Sequence, residues 1–361
     1  FLCMTIFAFM LINAGQSHAA QEVYPNKYAA LVMDSDTGLI LYQKNANKRL
    51  HPASLTKMMT LLMLFDAIDD GKVRLHSKIR MSKHAASMVP SKLGIPPGDT
   101  IKVEDAIYAL ITKSANDVAV AVAEKLGGSE ENFANMMTRK ARQLGMSRTR
   151  FRNASGLHDP KQISTARDMG RLGRALVTDY RRHYHYFSRK TFTYKGKTYR
   201  GHNRLMDTYP GMDGLKTGYI MASGFNLVSS AKINNRRLIG VVFGGKTAKS
   251  RNARMEKLLD LGFRRIGEVN IAASSVPIPA RKPGSTSNTI LAQNILPTGD
   301  SLPVANVEIS TEKPTTNWSR WAMLDAMADN SVFNRMIGEG DYDSSIRSRI
   351  ETGLIAISSQ M

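Results

Sequence analysis

Three short motifs contain side chains able to perform acyl transfer, and they occur in a fixed order along the chain. They are Ser54-Leu55-Thr56-Lys57, Ser114-Ala115-Asn116 and Lys216-Thr217-Gly218. Residues three apart on a helix share one face, so the Ser54 hydroxyl and the Lys57 amine can come within hydrogen-bond distance. A serine hydroxyl activated by an adjacent base can attack a carbonyl carbon. The first motif therefore predicts a nucleophile and its base.

The segment that contains Ser54 and Lys57 favours this chemistry. Residues 54–70 are apolar almost all round, which is typical of a buried helix. A lysine in the first helical turn opposes the helix dipole, and burial together with the positive helix end lowers the pKa of its amine. The alternative is that Ser54 only caps the helix. Taken alone, the motif leaves both interpretations open.

The second and third motifs supply groups that a peptide substrate needs. Ser114 offers a hydroxyl able to relay a proton, and Asn116 offers both an amide donor and an acceptor. Lys216 is a second cation, Thr217 adds a hydroxyl, and Gly218 permits a ligand to approach the backbone closely. Ser114 could instead cap the helix that follows it, and the third motif could be a surface turn.

Pattern alone does not single out these motifs, because Ser-x-x-Lys recurs at Ser229 and at Ser310. The first set differs in its context. Ser54 opens the apolar helix, Ser114 lies between two helical segments, and the third motif comes shortly before a predicted strand at 225–233. Context therefore carries the prediction of an acyl-transfer site.

Hydrophobic periodicity predicts strands, then helices, then strands and a closing helix. Predicted strands cover residues 28–34, 39–44, 191–194, 198–199, 225–233 and 238–244. Predicted helices cover residues 54–70, 103–112, 115–126, 131–144 and 248–263. This order favours an α+β layered fold with an antiparallel sheet over a series of βαβ units.

The motifs and several further segments resemble the low-molecular-mass penicillin-binding proteins, specifically the serine D-alanyl-D-alanine carboxypeptidases of peptidase family S11. The likeness covers roughly residues 25–267. The further segments are YAALVMD at 28–34, His51-Pro52-Ala53, Gly156-Leu157, STARDM at 164–169 and HNRL at 202–205. The resemblance implies a β-lactamase/transpeptidase-like α+β fold, in which helices flank an antiparallel sheet and form a helical subdomain.

The resemblance also implies a role for each residue in the catalytic steps. Ser54 would be the acylated nucleophile, Lys57 its base and Ser114 a proton relay polarised by Lys216. The backbone N–H groups of Ser54 and Tyr219 would form the oxyanion hole, in which each donor is worth about 10²- to 10³-fold in rate.

Three further side chains would bind the substrate according to the same resemblance. Asn116 would contact a substrate amide. Thr217 and Arg251 would bind its terminal carboxylate, and Gly218 lies between Thr217 and the oxyanion-hole residue Tyr219.

The implied reaction removes the terminal D-alanine from peptidoglycan stem pentapeptides, needs no metal or organic cofactor and is inhibited by β-lactams. The alternatives are a D,D-endopeptidase on cross-linked peptidoglycan, a β-lactamase and a non-catalytic envelope-binding module. Class A β-lactamases deacylate through a glutamate, and no glutamate occurs between Glu131 and Glu256. The intact Ser54, Lys57 and Lys216 argue against a non-catalytic module.

Composition favours an exported protein. Residues 1–20 carry no Lys, Arg, Asp or Glu, begin with an apolar run and end in small residues, which predicts a signal peptide and a periplasmic or cell-envelope location. The single cysteine, Cys3, lies in this segment, so the mature chain would hold no disulfide. The formal net charge of +20 favours anionic envelope polymers or membrane surfaces as partners, ahead of nucleic acid.

Composition also divides the chain. Residues 21–267 are predicted to form the catalytic domain, 268–317 a disordered linker rich in Ser, Thr and Pro, and 318–361 a C-terminal segment without an assigned function.

Two other patterns suggest different functions but have weak support. Residues 240–247 (GVVFGGKT) match the nucleotide-binding P-loop pattern, yet they continue a predicted strand instead of forming a phosphate-binding loop. His183-Tyr184-His185 could suggest a metal site, but no third ligand accompanies the two histidines. We interpret them as surface residues.

Overall fold

The computed structural model describes residues 23–275, and it describes side chains up to residue 267. A five-stranded antiparallel sheet has the strand order β2-β1-β9-β8-β7. Its strands are β1 (Ala29–Asp34), β2 (Ile40–Lys44), β7 (Met212–Ile220), β8 (Gly224–Ile233) and β9 (Arg236–Gly245). Two small hairpins add β3 (Lys78–Arg80) with β4 (Thr100–Lys102), and β5 (Thr191–Tyr194) with β6 (Lys197–Arg200).

The α-helices lie on both faces of the large sheet. They are α1 (Lys57–Asp69), α2 (Lys83–Ser87), α3 (Val103–Tyr108), α4 (Asn116–Gly127), α5 (Glu130–Gln143), α6 (Ala166–Thr178), α7 (Leu205–Thr208) and α8 (Ala248–Ser275). Shorter turns of other helical types cover Ala53–Thr56 (3₁₀), Ala109–Lys113 (π) and Arg181–Ser188 (3₁₀). Within residues 23–275, no helix is both long and apolar enough to cross a lipid bilayer.

The core is divided by the sheet, because successive strand residues face opposite sides. On β9, Val241 and Phe243 belong to the larger core beneath the helical subdomain, whereas Val242 packs toward α8. Two residues of α8, Leu258 and Leu259, cover that second face. The sheet is thus buried on both sides and provides a rigid support for its edge strand β7.

Helix α1 forms the centre of the helical subdomain. All but three of its thirteen residues are buried, as the nearly all-round apolar sequence predicts. It packs against α4, α5 and α6, and it begins at Lys57. The first residue of this buried helix is therefore an amine with no exposure to solvent.

The predicted α+β class with an antiparallel sheet is confirmed, and several element boundaries are corrected. The helix predicted at 54–70 is a 3₁₀ turn followed by α1, and the helix predicted at 103–112 is α3 followed by a π-helical turn. The third motif does precede the strand predicted at 225–233, which is β8, but it also lies within a further strand, β7, that was not predicted. Helix α8 continues to Ser275, so the predicted linker does not begin at 268.

The remaining domain predictions, for residues 1–20 and for residues beyond 275, lie outside the described residues.

The P-loop match occupies the end of β9, where Val241, Val242 and Phe243 are fully buried between β1 and β8. Such a strand leaves no open loop for phosphate.

The two histidines considered for a metal site do not converge. His183 is buried rather than superficial: its ring stacks on Phe65 at 4.6 Å, and its Nε2 lies 2.8 Å from Asp69 Oδ1. His185 is exposed and contacts the Arg182 carbonyl. Among the residues described, no three His, Cys, Asp or Glu side chains are grouped so as to hold a metal ion.

Candidate active site

Ser54 lies in the 3₁₀ turn that leads into α1, and it does not cap a helix. The residue at the cap position is Pro52, and no side chain caps the turn. Ala53 takes the left-handed conformation with φ +50°, which costs a residue with a Cβ roughly 1–3 kcal/mol. The structure thus removes the capping interpretation of Ser54 and leaves its hydroxyl to Lys57.

The Lys57 amine lies at the centre of the site and contacts three oxygens. Its Nζ is 3.1 Å from Ser54 Oγ, 2.7 Å from Asn116 Oδ1 and 2.5 Å from the Ser155 carbonyl oxygen. The side chain is fully buried. Each oxygen comes from a different element, so the amine joins the 3₁₀ turn, α4 and the loop after α5.

The three partners determine what a neutral Lys57 amine can do. The Asn116 Oδ1 and the Ser155 carbonyl can only accept hydrogen bonds, and together they use both N–H groups of a neutral amine. The Ser54 hydroxyl is the one partner of the three that can donate. It therefore directs its proton at the nitrogen lone pair, which is the geometry of a general base beside a nucleophile.

Electrostatics favour the neutral amine. Burial lowers the pKa of Lys57 well below its usual value, and the charge of Lys216 lowers it further. The pKa of Lys216, also buried, falls to about 7 because of burial and the neighbouring Arg251. Burial likewise lowers the pKa of Arg251 to about 10. The site therefore holds three buried basic groups, in which the charge of Arg251 lowers the pKa of Lys216 and the charge of Lys216 lowers the pKa of Lys57.

Ser114 and Asn116 are held by an irregular backbone. The π-helical turn ends at Ser114, which adopts φ +58° and ψ +39° and is 6% exposed. Helix α4 starts at Asn116 with Ala115 at its cap position, so Ser114 does not cap it. The Ser91 hydroxyl donates to the Lys113 carbonyl at 2.7 Å, and the backbone N–H of Asn116 donates to the Ser91 carbonyl at 2.7 Å. π-Helical turns occur frequently at functional sites.

The third motif forms part of the edge strand β7, which pairs only with β8 in the described sheet. Lys216 is buried and its Nζ donates to the Thr217 carbonyl at 2.9 Å. A Cβ at Gly218 would lie 3.0 Å from the Ser54 nitrogen, so only a glycine allows the strand to approach the turn this closely. Tyr219 is 54% exposed, and its ring packs on the Phe225 ring.

Arg251 lies in the first turns of α8, the helix that packs on β8 and β9. It is 2% exposed and donates to the Asn226 carbonyl at 2.9 Å and to Asn252 Oδ1 at 2.8 Å. Asn226 pairs with Gly218 across β7 and β8. The Arg251 guanidinium is therefore held at the β8 residue that pairs with Gly218, close enough for its charge to lower the pKa of Lys216.

The loop after α5 contributes contacts that the sequence did not indicate as functional. The Ser155 carbonyl accepts from Lys57, and Gly156 packs on the nucleophile turn with φ +85°. A Cβ at Gly156 would lie 1.9 Å from the Ala53 carbonyl oxygen. Gln162, 2% exposed, holds the loop by donating to Asn153 Oδ1 at 3.0 Å. Only the Gly156-Leu157 resemblance pointed to this loop.

Comparison with known proteins agrees with this geometry. A family profile described as D-alanyl-D-alanine carboxypeptidase, peptidase S11, matches residues 16–247. The chain belongs to this family. It is 41% identical over 240 residues to D-alanyl-D-alanine carboxypeptidase DacF of Bacillus subtilis, a match that covers 65% of this chain and 61% of DacF. The matched region thus spans less than two thirds of that relative.

Solved structures of family relatives share the fold. Penicillin-binding protein 5 from Haemophilus influenzae superimposes with a TM-score of 0.63 at 36% identity, covering 65% of this chain and 70% of that one. Penicillin-binding protein D2 from Listeria monocytogenes, in its cefotaxime-bound form, superimposes with a TM-score of 0.61 at 31% identity. The match covers 67% of this chain and 99% of that one. These likenesses confirm the family and fold that the motifs predicted.

We expect the buried charge of Lys216 to destabilise the folded protein, and replacement of Lys216 tests this. Because its pKa falls from 10.5 to about 7 on folding, the unfolded chain binds this proton more tightly. The penalty is complete below about pH 7 and disappears as the pH rises toward 10.5. Lys216→Met should therefore raise the free energy of unfolding by roughly 1–3 kcal/mol at about pH 6.

Urea unfolding at several pH values measures this effect. The gain should shrink as the pH increases, and the exposed-site variant Lys48→Met should change stability little at any pH. A gain for Lys216→Met that persists unchanged above pH 10.5 would contradict the assignment of the penalty to its charge.

Proposed function

We propose that this protein is a serine D-alanyl-D-alanine carboxypeptidase that removes the terminal D-alanine from peptidoglycan stem pentapeptides during cell-wall maturation. One observation carries the proposal: a fully buried lysine amine, lowered in pKa, lies 3.1 Å from the Ser54 hydroxyl. Membership of the D-alanyl-D-alanine carboxypeptidase family supports the choice of substrate.

In the proposed reaction Lys57 takes the Ser54 proton while Ser54 Oγ bonds to the carbonyl carbon of the penultimate D-alanine. The N–H groups of Ser54 and Tyr219 stabilise the resulting oxyanion. The C–N bond then breaks, and the departing D-alanine amine takes the proton by way of Lys57 or the Ser114 hydroxyl. Water hydrolyses the ester in the reverse proton sequence and restores Ser54.

The buried cations suit a substrate that ends in a carboxylate. Thr217 offers a hydroxyl beside Lys216, and Arg251 adds its charge from behind the strand. A bound carboxylate would favour the charged form of Lys216 and so offset the repulsion between the buried cations. The side-chain Nδ2 of Asn116 uses one N–H to donate to the Val89 carbonyl at 2.9 Å, so its second N–H can bind a substrate carbonyl.

β-Lactams should acylate the same serine, because they present a reactive amide and a carboxylate with a similar spacing. A relative of this fold is known in a cefotaxime-bound form. Slow deacylation distinguishes such a target from a β-lactamase. Class A β-lactamases deacylate through a glutamate, and the interval between Glu131 and Glu256 contains none. Glu130, which adjoins it, accepts from the Ala154 N–H and His84.

We place the reaction outside the cytoplasm, in the periplasm or cell envelope. The apolar segment at 1–20 supports export, and residues 21–267 would be the catalytic domain. The net charge of +20 supports association with anionic envelope polymers or the membrane surface.

Loss of the nucleophile tests the proposed function. Ser54→Ala should lower the rate of D-alanine release from a purified disaccharide pentapeptide by at least about 10³-fold, because the acyl-enzyme can no longer form. Ser87→Ala, which removes an exposed hydroxyl, should retain the wild-type rate. Unchanged D-alanine release by Ser54→Ala would refute the mechanism.

Intact-protein mass spectrometry after exposure to benzylpenicillin tests the distinction from a β-lactamase. We expect one added penicilloyl group on Ser54 that persists long after free penicillin is removed, because the interval between Glu131 and Glu256 lacks the glutamate with which class A β-lactamases activate the deacylating water. Rapid turnover of a chromogenic cephalosporin would instead identify a β-lactamase.

A further inference from the structure

The loop that supplies the carbonyl partner of Lys57 is fixed on two sides. The Thr60 hydroxyl donates to the Ala154 carbonyl at 2.7 Å, and the Ala154 N–H donates to Glu130 Oε1 at 3.0 Å. The next carbonyl along the loop, that of Ser155, accepts from Lys57 Nζ. Thr60 lies three residues after Lys57 on the same face of α1. The position of the Ser155 carbonyl against the amine therefore depends on Thr60 and Glu130.

Glu130 is the first residue of helix α5, and other groups at that end already stabilise the helix. The Ser129 side chain caps α5 by accepting from the Asn132 N–H. Glu130 and Glu131 both lie in the first turn, where a negative charge interacts favourably with the helix dipole. Glu131 is exposed, whereas the Glu130 side chain is only 16% exposed. The Glu130 carboxylate is therefore turned toward the loop and away from solvent.

The second oxygen of this carboxylate faces helix α2. His84 Nε2 lies 3.1 Å from Glu130 Oε2, and the His84 side chain is 54% exposed. A neutral oxygen would suffice to accept the Ala154 N–H, because withdrawing a charged group from water costs more than withdrawing a neutral one. The hydrogen bond to the loop therefore does not by itself explain a charged group at position 130.

The negative charge acts on the general base. Burial and the charge of Lys216 lower the pKa of Lys57, and the charges of Asp117 and Glu130 oppose this shift. A base whose pKa lies far below the working pH is neutral but accepts a proton weakly, and proton transfer is most efficient when the pKa lies near that pH. An anion close to Lys57 therefore limits the loss of basicity that burial causes.

Of the two carboxylates, Glu130 is the one bonded to the loop that contacts Lys57. Asp117 is fully buried in α4. Its oxygens accept three backbone N–H groups, those of Leu93, Gly94 and Val118. A change at Asp117 would disturb these segments as well as its charge, so Glu130 is the residue at which charge and position can be separated.

We propose that Glu130 is a positioning residue for the general base. Its carboxylate holds the Ala154–Ser155 peptide so that the Ser155 carbonyl takes one N–H of Lys57, and its negative charge keeps the amine a competent proton acceptor. The nitrogen lone pair is then left to the Ser54 hydroxyl. This role rests on the proposed function, in which Lys57 is the base, and Glu130 acts through Lys57 and not on the substrate.

The pH dependence of Ser54 acylation by benzylpenicillin tests this role. Glu130→Gln keeps an oxygen acceptor for the Ala154 N–H and removes the charge, so the pKa of Lys57 should fall further. The acid limb of the acylation rate constant should therefore move to lower pH, and the maximal rate constant should fall about two- to tenfold because the base is weaker. Glu131→Gln removes the same charge from the same helical turn and should change neither quantity.

Glu130→Ala removes the acceptor together with the charge. Its maximal acylation rate constant should fall below that of Glu130→Gln, by about tenfold or more relative to wild type, because the Ser155 carbonyl is no longer held against the amine. Rescue of part of this loss by glutamine separates the contribution of position from that of charge.

Two results would overturn the role of Glu130. One is a Glu130→Gln profile that coincides with wild type in both its acid limb and its maximum. The other is an equal loss of rate at every pH, which a purely structural role would produce. Wild-type enzyme that is acylated at Ser54 but releases no D-alanine from the disaccharide pentapeptide would instead overturn the proposed function.

Discussion

The buried amine of Lys57 is the group on which the rest of the site depends. Burial lowers the pKa of this amine well below its usual value although the charges of Asp117 and Glu130 oppose the shift, and the three oxygens nearest to Nζ carry no full charge. The apolar helix α1, the π-helical turn before Ser114 and the loop at 153–157 all keep water from this amine or supply its partners. Hydration of Lys57 would favour its charged form, which cannot accept the Ser54 proton.

Several features of the site lower the stability of the fold. Ala53, which precedes Ser54, and Ser114 hold left-handed backbone conformations, and both residues are buried. Lys216 and Arg251 bring charge into the same interior. Helix α8 and the two-sided burial of the sheet supply the compensating apolar contacts. Under the proposed function, a substrate carboxylate would offset the charge of Lys216 and Arg251.

The sequence predicted the fold class and the family, because both depend on side-chain patterns: apolar periodicity for the elements and three ordered motifs for the site. It did not predict strand β7, whose sequence Met212–Ile220 combines two glycines with a buried lysine and shows no apolar alternation. The contact from the Ser155 carbonyl is made by the backbone and has no residue-type signature. His183 was misjudged because its burial depends on Phe65 and Asp69, which lie more than a hundred residues earlier.

The most direct test of the account is the titration of the Lys57 amine itself. NMR of the enzyme with ¹⁵N-labelled lysine side chains, assigned with a Lys57→Arg variant, reports the protonation state of each amine as the pH changes. We expect the Lys57 resonance to titrate far below the usual lysine value of 10.5, so that the amine is neutral where the enzyme is active. A Lys57 amine that titrates near 10.5 would contradict the account, because it would be charged at every physiological pH and could not accept the Ser54 proton.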